Sequence, residues 1–541
     1  MSAETMEATT SAEAPSFDTA RWAARLGWLT RVGWPQSLVA GLVGGIVVFW
    51  LRTLPIVSDP FSYVHTGMEF PHPTWNMVGT TRYGIVLPLV PITRLFHDSE
   101  ATFYLMPVVA SAVLLASAHW LASRTFGRAA GLVAVVLLLG CSPILLNATR
   151  LYPDIFSAST TTLAVAVAVA TRDHWRRRPD ARLVGVVLLV LTGLAVGLTW
   201  WMRETSVFAW PAVAVALLWK GGPPRRLVAL CAGGAALAMF LLEMLISALV
   251  FDDPMARLNA LTGSDMSATT NPLDLPYLNQ GRLSYFAVIP RVMLTLPDGP
   301  WMVICGALAV AGALLVGRRI GFFTFWFLST LVLLILAGGT LNPASPSLRL
   351  DLVRYWLPFL VPMILAATGA LVLAARAIAS QLGDTPWLTG TRRRVVLVVV
   401  AAGLVLAPVL PTAQMVRKDP QFVVTNGGIM NDFRDWLGAH RSEVKVMYAD
   451  LATQRQLPTY ARTFWGSPVA NVTFRRMELP FAPKPGSYVV FFSENQSVCL
   501  FCADWEAQIR QKRPHITAQW DLVWRSRDSI FKIYRVPDGP A

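Results

Sequence analysis

The chain has 541 residues, of which 54% are hydrophobic and only 14% charged, against roughly 25% charged in an average soluble domain. That apolar content excludes intrinsic disorder, five cysteines exclude a disulfide scaffold, and a single soluble core does not grow to this length. What remains is a polytopic α-helical membrane protein, whose spanning helices satisfy their own backbone hydrogen bonds in lipid.

Residues 1–34 read as a polar cytoplasmic tail. The first apolar run starts late and is long enough to span, so it is expected to stay as an uncleaved anchor. Spanning helices are expected near 36–53, 100–121, 129–147, 155–171, 182–200, 206–219, 226–250, 300–316, 320–338, 353–375 and 395–412. That is about 11 helices in a transmembrane domain of residues 35–412. The run 206–219 is short and interrupted by Pro211. Between the first two helices lies an external segment, 54–99, whose second half, TRYGIVLPLVPITRLF, is apolar but broken by Pro88 and Pro91. It reads as short helices at the interface. A second external loop, 251–299, is rich in Asp, Asn, Pro and Tyr. Residues 413–541 carry 17 basic and 12 acidic residues and no spanning run. There NDFRDWLGAH reads as a helix, EVKVMYAD and GSYVVFFSEN as strands, and DLVWRSRDSIFKIYRV as a terminal hairpin, giving a small soluble α/β domain.

The formal charge of +14 is unevenly placed. An odd helix number puts the termini on opposite sides. The segments on the N-terminal side hold 19 basic residues, and the longer opposite loops before residue 413 hold about half as many. This positive-inside pattern puts the N-terminus in the cytoplasm and the tail outside it. It also makes Arg176–Arg178 and Arg392–Arg394 topology determinants facing anionic lipid headgroups, not nucleic-acid contacts. Cys141, Cys231 and Cys305 lie in or beside apolar helices as packing residues. Cys499 and Cys502, in CLFC of the tail, read first as a local disulfide. A redox pair lacks thioredoxin-like context, and zinc needs two more ligands. No P-loop, dinucleotide fingerprint or zinc-protease motif is present, so no cofactor is implied.

The informative residues are charges at the outer ends of the expected helices. These are Asp59 in SDPFSY, Arg82 in TTRYG, Arg150 and Asp154 in RLYPD, Arg203 and Glu204 in WWMRET, and Arg354 in LVRYWLP. Burying such groups costs several kcal/mol each unless they are paired. The topology puts all of them on one face, where they could line one cavity. Arginine grips phosphate bidentately, which suits a lipid phosphate, and a nearby carboxylate suits general-base work on a hydroxyl. The competing reading is interfacial charges that snorkel and pair, and it weighs most for Glu204 and Arg150. Glu243 lies inside the seventh helix, where a helix–helix hydrogen bond and a functional role are both open.

These residues resemble a known family. A first helix followed by an external D-P-x-x-Y looks like the GT-C glycosyltransferase superfamily, and more narrowly the group of protein O-mannosyltransferases and the lipid A aminoarabinose transferase. SRTFGRAAG, SPILLNATRLYPDIFSAS and RYWLPFLVPMILAATGAL continue the likeness, which covers 36–220 well and 300–412 loosely. The resemblance implies an inverting transferase that moves a sugar from a polyprenyl-phosphate donor to an envelope glycan, lipid or protein on the external face. By position, Asp59 would be the base, Asp154 would position the acceptor, and Arg82, Arg203 and Arg354 would hold the donor phosphate. Tyr63, His65, Arg150, Glu204 and Tyr355 would contact sugar or acceptor, while His65 and His72 also fit a plain loop role. One carboxylate suffices once the leaving phosphate is held, unlike glycosidases. The family often has Asp-Glu in its first motif. Here Pro60 follows Asp59, so no essential metal is expected.

Forty arginines against six lysines suggest a GC-rich bacterium, whose inner membrane would hold the protein and whose decaprenyl-phosphate arabinose or mannose would be plausible donors. Two other classes compete. A lipid-linked sugar flippase would show repeats and midplane charges, and a non-enzymatic wall-binding scaffold would not need Asp59 and the arginines together.

Overall fold

The computed structural model describes residues 33–74, 81–263, 282–337, 352–381, 402–403, 406–407, 409–418, 428–478, 482–493, 505–512, 517–527 and 529–539. The N-terminal tail to residue 32, most of the run 395–412, and Cys499 and Cys502 lie outside them.

Each expected spanning run before residue 376 falls on a helix. Among the described residues seven helices are long and apolar enough to cross a membrane: Glu100–Phe126, Pro153–Arg177, Arg182–Met202, Arg225–Phe251, Gly299–Val316, Arg318–Ala337 and Val353–Ile378. Trp34–Trp50, Tyr83–Phe96, Arg128–Leu139 and Glu204–Leu218 are shorter apolar helices. The run 129–147 is divided at Gly140 and Cys141 into Arg128–Leu139 and Ser142–Asn147. The second piece begins where Ser142 N donates to the buried Asp298 carboxylate at 2.8 Å. In the run 206–219, Pro211 sits in the first turn of Trp210–Leu218, where its missing N–H costs nothing. It starts that helix rather than interrupting one.

Small residues let the first helix approach its neighbour. Gly41, Gly44 and Gly45 of Trp34–Trp50 face Ala112, Leu115 and Ala116 of Glu100–Phe126. A Cβ at Gly41 would stand 2.5 Å from the Ala112 carbonyl oxygen, so the backbones meet with no side chain between them. Pro153–Arg177 is buried along most of its length, whereas Leu183, Leu230, Leu249 and Leu315 of other helices point outward, as lipid-facing residues do.

The tail folds around a five-stranded sheet of β1 (Val446–Ala449), β2 (Thr473–Arg476), β3 (Tyr488–Phe492), β4 (Asp521–Arg525) and β5 (Phe531–Arg535), in the order β2-β1-β3-β5-β4. β2, β1 and β3 are parallel, and β3, β5 and β4 antiparallel. The central strand YVVFF is buried on both faces. Tyr488, Val490 and Phe492 pack with Phe433 and Leu437 of helix Ile429–Ala439, while Val489 and Phe491 pack with Ile509 and Trp520. Asp450 caps helix Leu451–Tyr460 by accepting from Ala452 N and Thr453 N. The expected helix, strands and hairpin of the tail are all present.

Ion pairs and rings dock the tail on the membrane helices. Arg434 Nη2 lies 2.8 Å from Glu100 Oε2, and Arg462 Nε lies 2.5 Å from Asp98 Oδ1. Ala101 N donates to the Phe464 carbonyl, and the Phe464 ring meets Phe49 and Tyr104. Leu54, just after the first helix, is buried in the tail's core. The tail therefore covers the membrane-domain end that also carries Asp59.

Candidate active site

The site is assembled from helix ends. Asp59 opens the short helix Asp59–Glu69 with Pro60 behind it, so its carboxylate sits at the positive end of the helix dipole. Ser58 Oγ donates to it at 3.3 Å. Arg354 comes from the 3₁₀ turn Val353–Trp356 that leads into helix Leu357–Gln381. Its Nη1 lies 3.4 Å from Asp59 Oδ2, with the two side chains 22% and 42% exposed. The Arg354 guanidinium stacks over the Tyr152 ring at 4.4 Å and reaches Tyr355 at 5.3 Å.

Tyr355 is shared. The Arg203 guanidinium also lies over this ring, at 4.6 Å from its centroid. Arg203 follows the last turn of Arg182–Met202, where a cation is favoured, and donates through Nη1 to Asp154 Oδ1. Asp154 stands in the first turn of Pro153–Arg177, after Pro153. Both groups are buried, at 4% and 1% exposed.

A second row begins at the next residue. Glu204 is buried and accepts from Arg82 Nη2 at 3.0 Å. Arg82 Nη1 donates to Tyr63 OH at 2.6 Å. On its other side Glu204 meets Arg257 Nη2 at 3.4 Å, and Arg257 Nη1 lies 3.2 Å from Glu243 Oε2. Burial pushes the Tyr63 phenol above its usual range, with Asp59 and Glu204 adding to the rise and the Arg82 charge opposing it. For Arg82 burial is the largest influence and works against the charge, but Glu204 and Tyr63 together outweigh it and hold the guanidinium protonated.

Six of the seven charges singled out in the sequence thus fall into one connected set, joined at the Arg203–Glu204 peptide. Tyr63 and Tyr355 belong to it. Arg82 and Arg203 are committed to Glu204 and Asp154, so Arg354 is the most open of the three arginines. Arg150 is half-buried two residues before Tyr152. His65 and His72 are exposed, and His65 lines a separate cleft of about 320 Å³ with Glu69, Asp98, Gln454 and Arg455, between the Asp59 helix and the tail. Sequence reasoning missed Arg257 and Tyr152. Glu243 was the signal for Arg257, because a carboxylate inside a spanning helix needs a counter-charge. Among the described residues no three His, Cys, Asp or Glu side chains gather as a metal cage.

Residues 89–247 match the family model described as dolichyl-phosphate-mannose-protein mannosyltransferase. The structure is similar to ArnT from Cupriavidus metallidurans bound to undecaprenyl phosphate, at a TM-score of 0.51 and 15% identity, over 94% of this chain and 98% of that one. The chain has the GT-C membrane glycosyltransferase fold and resembles the O-mannosyltransferase and ArnT group. ArnT from the same organism in the apo state gives a TM-score of 0.51 at 13% identity, over 96% of this chain and 100% of that one. The apo oligosaccharyltransferase of Archaeoglobus fulgidus gives 0.47 at 11% identity, over 80% and 64%. No curated protein matches by sequence. The family match includes Asp154, Arg203, Glu204 and Glu243 but not Asp59, Arg82, Arg257 or Arg354. The three-dimensional cluster joins these two groups.

Proposed function

We propose that this GT-C protein is an inverting glycosyltransferase that takes a sugar from a polyprenyl-phosphate donor and passes it to a hydroxyl of an envelope glycan, lipid or protein. The observation that carries the reading is the Asp59–Arg354 pair: a carboxylate and a guanidinium, 3.4 Å apart and both partly exposed, at the mouth of a buried charge cluster. Asp59 accepts the proton of the acceptor hydroxyl as that oxygen attacks the anomeric carbon. The donor phosphate leaves from the opposite face, and Arg354 holds its developing charge. Arg203 and Arg82, fixed by Asp154 and Glu204, add positive potential behind Arg354 and keep Tyr355 and Tyr63 in place. Asp154 acts on the acceptor side through this same lattice. Tyr63, Tyr355, Arg150 and Glu204 shape the sugar subsite, and His65 serves the acceptor from the neighbouring cleft.

The external face of a bacterial inner membrane suits this chemistry, with the N-terminus in the cytoplasm and the tail outside it. Arabinose and mannose on decaprenyl phosphate are the donors to try first. Pro60 in place of a second acidic residue favours a reaction without an essential metal.

The test is transfer from a panel of radiolabelled polyprenyl-phosphate sugars to a membrane-extract acceptor, with wild type and Asp59→Asn side by side. Transfer by wild type alone, with donor binding kept in the variant, is the expected result. Equal transfer by both proteins would remove Asp59 as base. Donor binding by neither would turn attention to the flippase or scaffold readings.

A further inference from the structure

At the end of the helices opposite the charge cluster lies a second cavity, of about 220 Å³. Asp154 begins helix Pro153–Arg177 and Arg176 ends it, which separates the two sites by about 33 Å at 1.5 Å per residue. That is close to the hydrocarbon thickness of roughly 30 Å, so the cavity opens at the other membrane surface.

Its lining is one-sided in charge. Arg172, Arg176, Lys220, Arg318 and Arg319 supply five cations, and no carboxylate lines it. The nearest acidic neighbour in sequence, Asp173, is already held by Arg124 at 2.8 Å and Arg172 at 3.3 Å. Arg176, Lys220, Arg318 and Arg319 make no ion pair among the described residues. The cavity floor is apolar, with Phe322 and the buried Phe323 reaching into the helix bundle. Leu314 and Leu315, in the last turn of the helix that ends just before Arg318, are 80% and 85% exposed and offer lipid-facing apolar surface. Cations from three separate chain segments converge over an apolar wall. This arrangement needs an anion that carries its own hydrocarbon.

We propose that this cavity binds the phosphate headgroup of an anionic phospholipid, with the acyl chains running along the outward leucine face. The headgroup phosphate meets Arg176, Arg318 and Arg319 as bidentate partners and Lys220 as a point charge. The site is separate from the transferase reading and stands whether or not that reading does. Its place at the ends of helices Pro153–Arg177 and Arg318–Ala337 would let a bound lipid hold together the two halves of the bundle.

The experiment is native mass spectrometry of the full chain in detergent, titrated with phosphatidylglycerol, phosphatidylcholine and soluble glycerol 3-phosphate. Wild type is expected to retain phosphatidylglycerol at least tenfold better than phosphatidylcholine, with glycerol 3-phosphate failing to displace it at equal concentration. Arg176→Gln/Arg319→Gln is expected to lose that preference. Arg225→Gln/Arg226→Gln, with the same charge change at basic positions beyond the cavity, is expected to keep it. Equal loss in both double variants would reduce the effect to diffuse surface attraction and overturn the site. Equal retention of the two lipids by wild type would overturn it without any variant. Displacement by glycerol 3-phosphate would make it a phosphate site with no lipid requirement and refute the proposal as stated. Unchanged melting of Arg176→Gln/Arg319→Gln without lipid establishes that its fold is intact, and an altered melt shifts the test to Lys220→Gln alone.

Discussion

Arg354 Nη1 stands 3.4 Å from Asp59 Oδ2, although the two residues are 295 positions apart in the chain. The guanidinium also lies on the face of Tyr152, so its position is set by a ring as well as by a charge. Arg354→Gln should raise the KM for donor at least tenfold and leave the fold intact, because both partners are partly open to solvent. Arg354→Lys should not restore affinity, since an ammonium cannot stack and bind bidentately at once. Steady-state kinetics with a fixed acceptor would check both, and full recovery by lysine would argue against the stacked geometry.

Asp59→Asn should slow the chemical step by about 10²–10⁴-fold, the usual contribution of a general base. Single-turnover measurements with preloaded donor separate this from binding. A fall confined to donor affinity would make Asp59 a positioning residue for Arg354.

Arg257 joins Glu243 to Glu204 within a buried set. Arg257→Ala leaves Glu204 to Arg82 but strips the counter-charge from Glu243, and should cost about 3–5 kcal/mol of stability. Arg257→Met with Glu243→Gln should recover part of that loss, because the uncompensated charge goes with it. Thermal unfolding in detergent reads both variants. A neutral Arg257→Ala would mean that water reaches the cluster.

Tyr63→Phe removes the acceptor 2.6 Å from Arg82 Nη1. A hydrogen bond to a charged group is worth about 1.5–3 kcal/mol, so the variant should melt lower while Glu204 still holds Arg82. No change in melting or in turnover would show that the phenol is a bystander.

In the tail, Glu506 accepts from Lys532, Arg510 and Tyr534. Burial pushes its carboxyl up, but the Lys532 and Arg510 hydrogen bonds outweigh that and hold it below its usual range. The folded value is therefore depressed relative to the unfolded one. Its stabilisation is present above the usual carboxylate range and is lost as pH falls through the folded value. Wild type should exceed Glu506→Gln by ~1 kcal/mol near neutral pH, and the difference should vanish in acid. Melting followed from pH 7 downward tests the sign, and a difference growing in acid would reverse it.

Hydropathy sufficed for the helices before residue 376, because lipid leaves the backbone few alternatives to internal hydrogen bonding. Short apolar runs sufficed for the strands of the tail: in YVVFF both faces are apolar because helices cover both. The sequence also marked Asp59, Arg82, Asp154, Arg203, Glu204 and Arg354, since charges at helix ends in an apolar chain are costly and few. Which of them pair was not legible. Pairing depends on how helix ends are rotated and docked, and packing of residues far apart in the chain sets that. Arg257 lay in a loop that looked merely polar until Glu243 was seen to face it. The five cations of the second cavity read along the chain as three topology signals. Only the bundle, by bringing Arg176, Lys220 and Arg318 around one apolar floor, makes them a site.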